Sequence, residues 1–200
     1  MDFFIQNGIE WIVWIQSLGA WLEALMKFFS FLGSEEFFLL AMPIFYWSIN
    51  TDLGIRMGLV LLVNTSVNHI FKVAMGGPRP YWVSQRVTPM AAETSFGVPS
   101  AHAQTAAGVW GICAAWLRKP WAWIVATVVV LLIGFSRMYL GMHFLHDVLL
   151  GWLLGGLSVW AFTAYWDRAA DWLKTQSFAR QVGLAFLVSM ILIGVSALTV

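Results

Sequence analysis

His143 and Asp147 stand four residues apart in the run Ser136-Arg137-Met138-Tyr139-Leu140-Gly141-Met142-His143-Phe144-Leu145-His146-Asp147. Four residues is about one helical turn, so an imidazole and a carboxylate at this spacing face each other on one side of a helix. A carboxylate that holds one ring nitrogen leaves the other free as a base or nucleophile. Taken alone, the pair would serve equally well as a structural contact. Arg137 just upstream and two further stretches change that reading. One is Lys72-Val73-Ala74-Met75-Gly76-Gly77-Pro78-Arg79-Pro80; the other is Pro99-Ser100-Ala101-His102. Lys72, Arg79 and Arg137 offer positive charge to an anion of about −2, the charge of a phosphomonoester. Arginine forks bind phosphate oxygens two at a time. Gly76 and Gly77 allow close backbone approach, and Pro78 and Pro80 stiffen the turn. Ser100 begins a helix, where free N–H groups and the helix dipole favour an anion. His102 then lies in the first turn, a second histidine able to give and take a proton.

Helices have to bring these stretches together, and the composition says in what solvent. Of the 200 residues, 60% are hydrophobic and 10% charged, against about 25% charged in soluble domains. Mean hydropathy is +0.76. The chain reads as an integral membrane protein, and intramembrane charges are costly unless used. A net charge of +1 gives no basic field and excludes a nucleic-acid partner. Thirteen tryptophans and fifteen phenylalanines suit interfacial belts and a lipid-facing surface. The single Cys113 cannot form an intrachain disulfide, and no removable signal peptide is expected.

Residues 3–32 are apolar but interrupted by Gln6, Asn7, Glu10, Gln16, Ser17, Glu23, Lys27 and Ser30. These polar positions fall within about half of a helix circumference, the pattern of a helix lying at the membrane interface. Gly33 ends it, and Ser34 is placed to cap the next helix. Six apolar segments follow, at 35–50, 54–75, 100–118, 120–141, 143–166 and 181–200. The expected fold is thus an all-α integral membrane protein: a six-transmembrane-helix bundle over 33–200, preceded by an amphipathic interfacial helix over 1–32. Residues 76–99, rich in proline and glycine, read as a long loop. Residues 167–180 read as a polar connection with a short surface helix around Trp172. Counting segments puts the three chemical stretches on one membrane face, whatever the first helix does. Arg56, Arg118, Lys119, Arg168, Lys174 and Arg180 collect on the other face, which the positive-inside rule assigns to the cytoplasm. The chemistry is expected on the extracytoplasmic side of a bacterial inner, plasma or ER-type membrane.

The three stretches resemble the signature of the type 2 phosphatidic acid phosphatase superfamily, whose pattern is K-x6-R-P, then P-S-G-H, then S-R-x5-H-x3-D. Here these read Lys72…Arg79-Pro80, Pro99-Ser100-Ala101-His102 and Ser136-Arg137…His143…Asp147, in order and at matching spacings over residues 35–165. The departure is Ala101, where the family has glycine; it keeps the backbone N–H and adds a methyl. The resemblance implies a phosphatase needing neither metal nor other cofactor. His143 would attack phosphorus and form a phosphohistidine, Asp147 would orient it, and His102 would protonate the leaving oxygen and then activate water. Lys72, Arg79, Ser100, Arg137 and the backbone N–H near Ala101 would hold the phosphoryl oxygens. Local stretches around Leu32–Phe37, Pro43–Trp47 and Glu93–Ala103 look like sphingosine-1-phosphate phosphatases and dolichyl diphosphatases. Arg79-Pro80-Tyr81-Trp82 is similar to glucose-6-phosphatase.

The partner expected from this is a membrane lipid phosphate within the bilayer: a long-chain-base phosphate or polyprenyl (di)phosphate first, phosphatidate, phosphatidylglycerol phosphate or a sugar phosphate after. Nothing in the sequence sets the oligomeric state. A metal hydrolase using His102, His143 and Asp147 as ligands is disfavoured by the three cations around them. Related haloperoxidases are soluble and much larger. A non-catalytic lipid transporter would also explain intramembrane charge. Glu93 and Arg86 read as solvated loop charges first and as contacts to the substrate headgroup second, His146 as a structural or substrate-rim residue, and His69 as packing or a support behind the site. Asn64 and Asn68 are expected to bond between helices, and Met75, Met90, Met138 and Met142 to pack.

Overall fold

The structure, a computed structural model, describes residues 2–198, with side-chain environments for 5–194. Residue 1 and residues 199–200, the extreme ends of the expected 1–32 helix and 181–200 segment, lie outside the described residues. Among the described residues every regular element is helical: α1 (Asp2–Gln16), α2 (Glu23–Phe31), α3 (Glu35–Ile44), α4 (Thr51–Met75), α5 (Pro80–Val83), α6 (Ala101–Leu117), α7 (Pro120–Tyr139), α8 (Leu145–Lys174) and α9 (Phe178–Leu198). Among the described residues, three stretches are long and apolar enough to cross a membrane: Thr51–Val83, Pro120–Tyr139 and Leu145–Lys174. The pair formed by the first two helices makes a fourth only if counted as one broken span. Of the other expected spans, α3 and α6 are shorter, at 10 and 17 residues, while α9 runs for 21 residues.

Helix α6 is the axis of the bundle, packed against α4, α7 and α8. Glycines set how close it comes to α8. A Cβ on Gly151 would stand 2.7 Å from Ser100 O, and one on Gly155 2.4 Å from Gln104 O. These two glycines lie one turn apart on α8, the small-residue spacing by which membrane helices bring backbones together. Their closeness places Ser100 against Asp147, and Ser100 N–H donates to Asp147 O at 3.0 Å. Asn64 and Asn68 bond between helices as expected. Gln104 donates to Asn64, Asn68 donates to Gln104 at 2.9 Å and to Pro99 O at 3.2 Å, and Ser158 donates to Asn64. We expect Gly155→Val to lower stability by about 3 kcal/mol, the upper range for overpacking, measured as the loss of the detergent melting temperature. An unchanged melting point would mean that α8 can tilt away at no cost.

Local chemistry explains the helix ends. The Ser34 hydroxyl accepts from Phe37 N–H, as anticipated, and Asn50 accepts from Leu53 N–H to begin α4. Gly76 closes α4 in the left-handed region at φ 57°, with its N–H on Lys72 O. Pro120 opens α7.

Three expectations are corrected. The N-terminal region is two helices bent by 85° rather than one continuous helix. Gly19 adopts φ 109°, a conformation disfavoured for side-chain-bearing residues, and the Ser17 hydroxyl turns back on Trp14 O. The hairpin is also docked into the fold: Ile9, Ile12, Ile15 and Met26 are buried, and the Tyr139 hydroxyl donates to Gly19 O. Second, α8 runs on to Lys174, so most of 167–180 is helix and only the Thr175–Ser177 turn connects. Third, His143 is not on α8. That helix begins at Leu145, and His143 lies in the turn before it.

Candidate active site

The three stretches meet at one end of the bundle. Motif residues Lys72, Arg79, Ser100, Arg137, His143 and Asp147 are all buried. His102, on the first turn of α6, lines an adjoining cavity of about 600 Å³ together with Ala101, Lys72, Arg137, Glu93 and Ser95.

The His143–Asp147 pair survives its correction, made by another geometry. Asp147 is the third residue of α8 and reaches back over the helix start. Its Oδ2 accepts the Phe144 N–H at 2.9 Å and lies 3.3 Å from His143 Nδ1. One carboxylate therefore caps the helix and holds the ring. The turn that carries the ring is itself fixed: Met142 and His143 N–H both donate to Arg137 O, at 3.0 and 3.3 Å. Because an ionised carboxylate only accepts, Nδ1 carries the proton and Nε2 keeps its lone pair. Nε2 lies 3.5 Å from Arg79 Nη1.

His143 sits in the turn between α7 and α8, 1% exposed. Burial lowers its pKa, with the Asp147 hydrogen bond opposing and Arg137 assisting, to about 4. The ring is thus uncharged at neutral pH. Between roughly pH 6.5 and 4 an unfolded chain would take up this proton and the folded one would not, so stability tied to the ring is lost as pH falls through that window. We expect the His143 imidazole signal, followed by NMR in labelled protein, to titrate near pH 4. A midpoint near 6.5 would mean that water reaches the ring.

The cations are fixed by many bonds. Arg79, with no exposed surface, donates from Nε to Ser95 O at 2.6 Å and from Nη1 to Met142 O at 3.1 Å. Its Nη2 reaches Glu93 Oε2 at 2.7 Å, Ser95 Oγ at 3.1 Å and Phe96 O at 3.2 Å. Lys72 Nζ donates to Ser95 Oγ and Phe96 O at 2.9 and 2.6 Å. Arg137 donates from Nη1 to Ser30 Oγ at 2.6 Å and from Nη2 to Glu93 Oε1. Ser100 Oγ and Arg137 Nε are buried with no hydrogen-bond partner. Orphaned polar atoms cost about 1–3 kcal/mol each. Among the described residues, no group of three His, Cys, Asp or Glu is placed to hold a metal.

Several residues here escaped the sequence reading. Glu93 is no solvated charge: it joins Arg79 to Arg137. Burial would raise its pKa, but Arg137 and Arg79 outweigh that and hold it down at about 2. Ser30 and Ser95 carried no signal at all. His146, half exposed, places Nε2 3.0 Å from Asp147 Oδ1 and stacks on Phe144. Arg86 pairs at the surface with Glu10. His69 lines the cavity.

Helices that converge three basic and histidine-bearing motifs on one buried pair define a helical membrane phosphatase class. The chain belongs to the PAP2 superfamily, whose pattern matches residues 53–171, and it is a phosphatase by that membership. It is 32% identical to phosphatidylglycerophosphatase B of Bacillus subtilis over 149 residues, covering 68% of this chain and 70% of the relative. It is 30% identical to human glucose-6-phosphatase 3 over 188 residues, covering 82% of this chain and 54% of that protein, so it spans about half of that relative's length. The crystal structure of the PAP2-type phosphatidylglycerolphosphate phosphatase from Bacillus subtilis superposes with a TM-score of 0.71 at 29% identity, over 87% of this chain and 89% of the other. Aquifex aeolicus LpxE shares the fold, with a TM-score of 0.69 at 23% identity over 78% and 94% of the two chains.

Proposed function

We propose that the protein hydrolyses the terminal phosphate of a membrane lipid through a phosphohistidine on His143. The observation that carries this is the pairing of a buried, uncharged His143, its Nε2 free, with Arg79 at 3.5 Å and Asp147 behind it. Nε2 gives its lone pair to phosphorus as the P–O bond to the lipid alcohol breaks, and His102 gives that oxygen a proton. His102 then takes a proton from water as the water oxygen bonds to phosphorus and the N–P bond breaks, freeing phosphate. Lys72, Arg79, Arg137, Ser100 and the N–H groups at Ala101 hold the three phosphoryl oxygens where charge builds, usually the largest catalytic contribution. No step requires a metal or cofactor.

The polar lining of the cavity supports one order of substrates. Beyond the cations it carries Lys27, Glu35, Glu36, Thr65 and His69, hydrogen-bonding groups suited to hydroxyls beside the phosphate. A glycerol-type headgroup, as in the substrate named for the Bacillus relative, therefore precedes phosphatidate, long-chain-base phosphates and polyprenyl diphosphates, whose phosphates adjoin hydrocarbon. Six spans and an extracytoplasmic site complete the reading. Arg56, Arg118, Lys119 and Lys174 lie at helix ends away from the site, where Arg56 stacks on Trp166 and pairs with Asp167. The test is phosphate release from phosphatidylglycerophosphate, phosphatidate, a long-chain-base phosphate, a polyprenyl diphosphate and glucose 6-phosphate, each with and without EDTA. Fastest release from the glycerol headgroup, untouched by chelator, is expected. Loss of all activity in EDTA would overturn the mechanism.

A further inference from the structure

The four residues Glu93–Phe96 engage every motif cation. Ser95 and Phe96 take Lys72 and part of Arg79, while the Glu93 carboxylate divides its two oxygens, Oε2 to Arg79 and Oε1 to Arg137. Two oxygens on one centre, each facing a different guanidinium, is the arrangement a phosphoryl group would adopt between the same residues. Building on the phosphatase reading above, we infer that Glu93 sets an affinity threshold at the site: its carboxylate is an internal anion that the incoming phosphoryl group must displace.

The consequence is a threshold. Displacing Glu93 takes the same free energy from every ligand. A phosphomonoester brings a charge of about −2 to the cations that Glu93 vacates and binds with a surplus. A phosphodiester or carboxylate trades one negative charge for another and gains little. The site thus stays closed to the monoanionic diesters and carboxylates that crowd a membrane surface. Glu93 is also built to move without unravelling its loop. Its backbone carbonyl is tied down by the Tyr81 hydroxyl at 2.8 Å, while its side chain is 24% exposed and lines the cavity. Only side-chain rotation is needed. Being ionised throughout the physiological range, it competes at every working pH.

The test measures binding, without turnover, on the purified full chain in detergent. Inorganic phosphate and dimethyl phosphate are titrated calorimetrically into wild type, Glu93→Gln and Glu93→Asp. In Glu93→Gln both ligands are expected to bind about tenfold tighter, by the same factor, the equivalent of one charge-assisted hydrogen bond no longer broken. Glu93→Asp, too short to span both arginines, should bind phosphate tighter than wild type and serves if the glutamine variant does not fold. Phosphate binding that is unchanged or weaker in the variants would overturn the inference and make Glu93 a clamp that holds the arginines. The phosphatase reading fails separately, on retention of turnover by His143→Ala.

Discussion

Replacing His143 with alanine is expected to lower kcat/KM for any phosphomonoester by at least about 10⁴-fold, the scale on which a lost nucleophile is felt. The fold should largely survive. Asp147 keeps the Phe144 N–H at 2.9 Å and its contact with His146, so the helix start stays capped. A second variant makes the result specific to covalent catalysis. In His102→Ala the proton donor is gone, but a substrate such as p-nitrophenyl phosphate has a leaving group that needs no proton. The first step then runs and the second, which needs a base for water, stalls. Label from a phosphorus-32 version of that substrate should accumulate on His143, stable to base and labile to acid. Label on another residue, or turnover in His143→Ala near the wild-type rate, would refute the assignment of roles.

Arg79→Lys, conservative in charge, should cost about 10²- to 10³-fold in kcat, comparable with losing a principal oxyanion donor. Lysine carries one compact ammonium where the guanidinium places three nitrogens in a plane. Arg79 uses all three: Nε on Ser95 O, Nη1 on Met142 O beside His143, Nη2 on Glu93 and Phe96 O. A lysine ammonium reaches one of these directions, leaving buried carbonyls unpaired. Stability should also fall, by about 2–3 kcal/mol. Arg79→Ala with added guanidinium separates the two effects, since a free guanidinium restores the fork without the side chain. Recovery of at least about tenfold in kcat is expected; activity in Arg79→Lys close to wild type would show that point charge suffices.

How much of this was readable beforehand differs from residue to residue. The motif residues were, because their spacing is fixed by chemistry that must converge from three helix ends. Segment counting placed them on one face, and the structure brings them together. The length of α8 was not readable: its apolar pattern stops near residue 166, but Asp167, Asp171 and Lys174 lie exposed on a helix that continues past it. The helix placement of His143 failed because a spacing of four is met equally by one turn and by a carboxylate reaching back over a helix start. Glu93, Ser30 and Ser95 were invisible for a different reason. They lie in a loop or in another helix, and their partners are separated by 44, 107 and 23 residues in the chain. No local period marks such pairs. The bend at Gly19 had a cue in the glycine itself, overridden by the continuous amphipathic pattern on either side.

The docked N-terminal hairpin sets the order in which the enzyme can be completed. Ser30 waits for Arg137, 107 residues later, and Gly19 waits for Tyr139, 120 residues later. Contacts so distant in sequence close late. Until α7 forms, α1 and α2 stand without the partners Arg137 and Tyr139 that they meet in the folded chain. Arg137 is thus seated by a side chain from a helix far away in sequence, so its position at the site reports that α2 has docked.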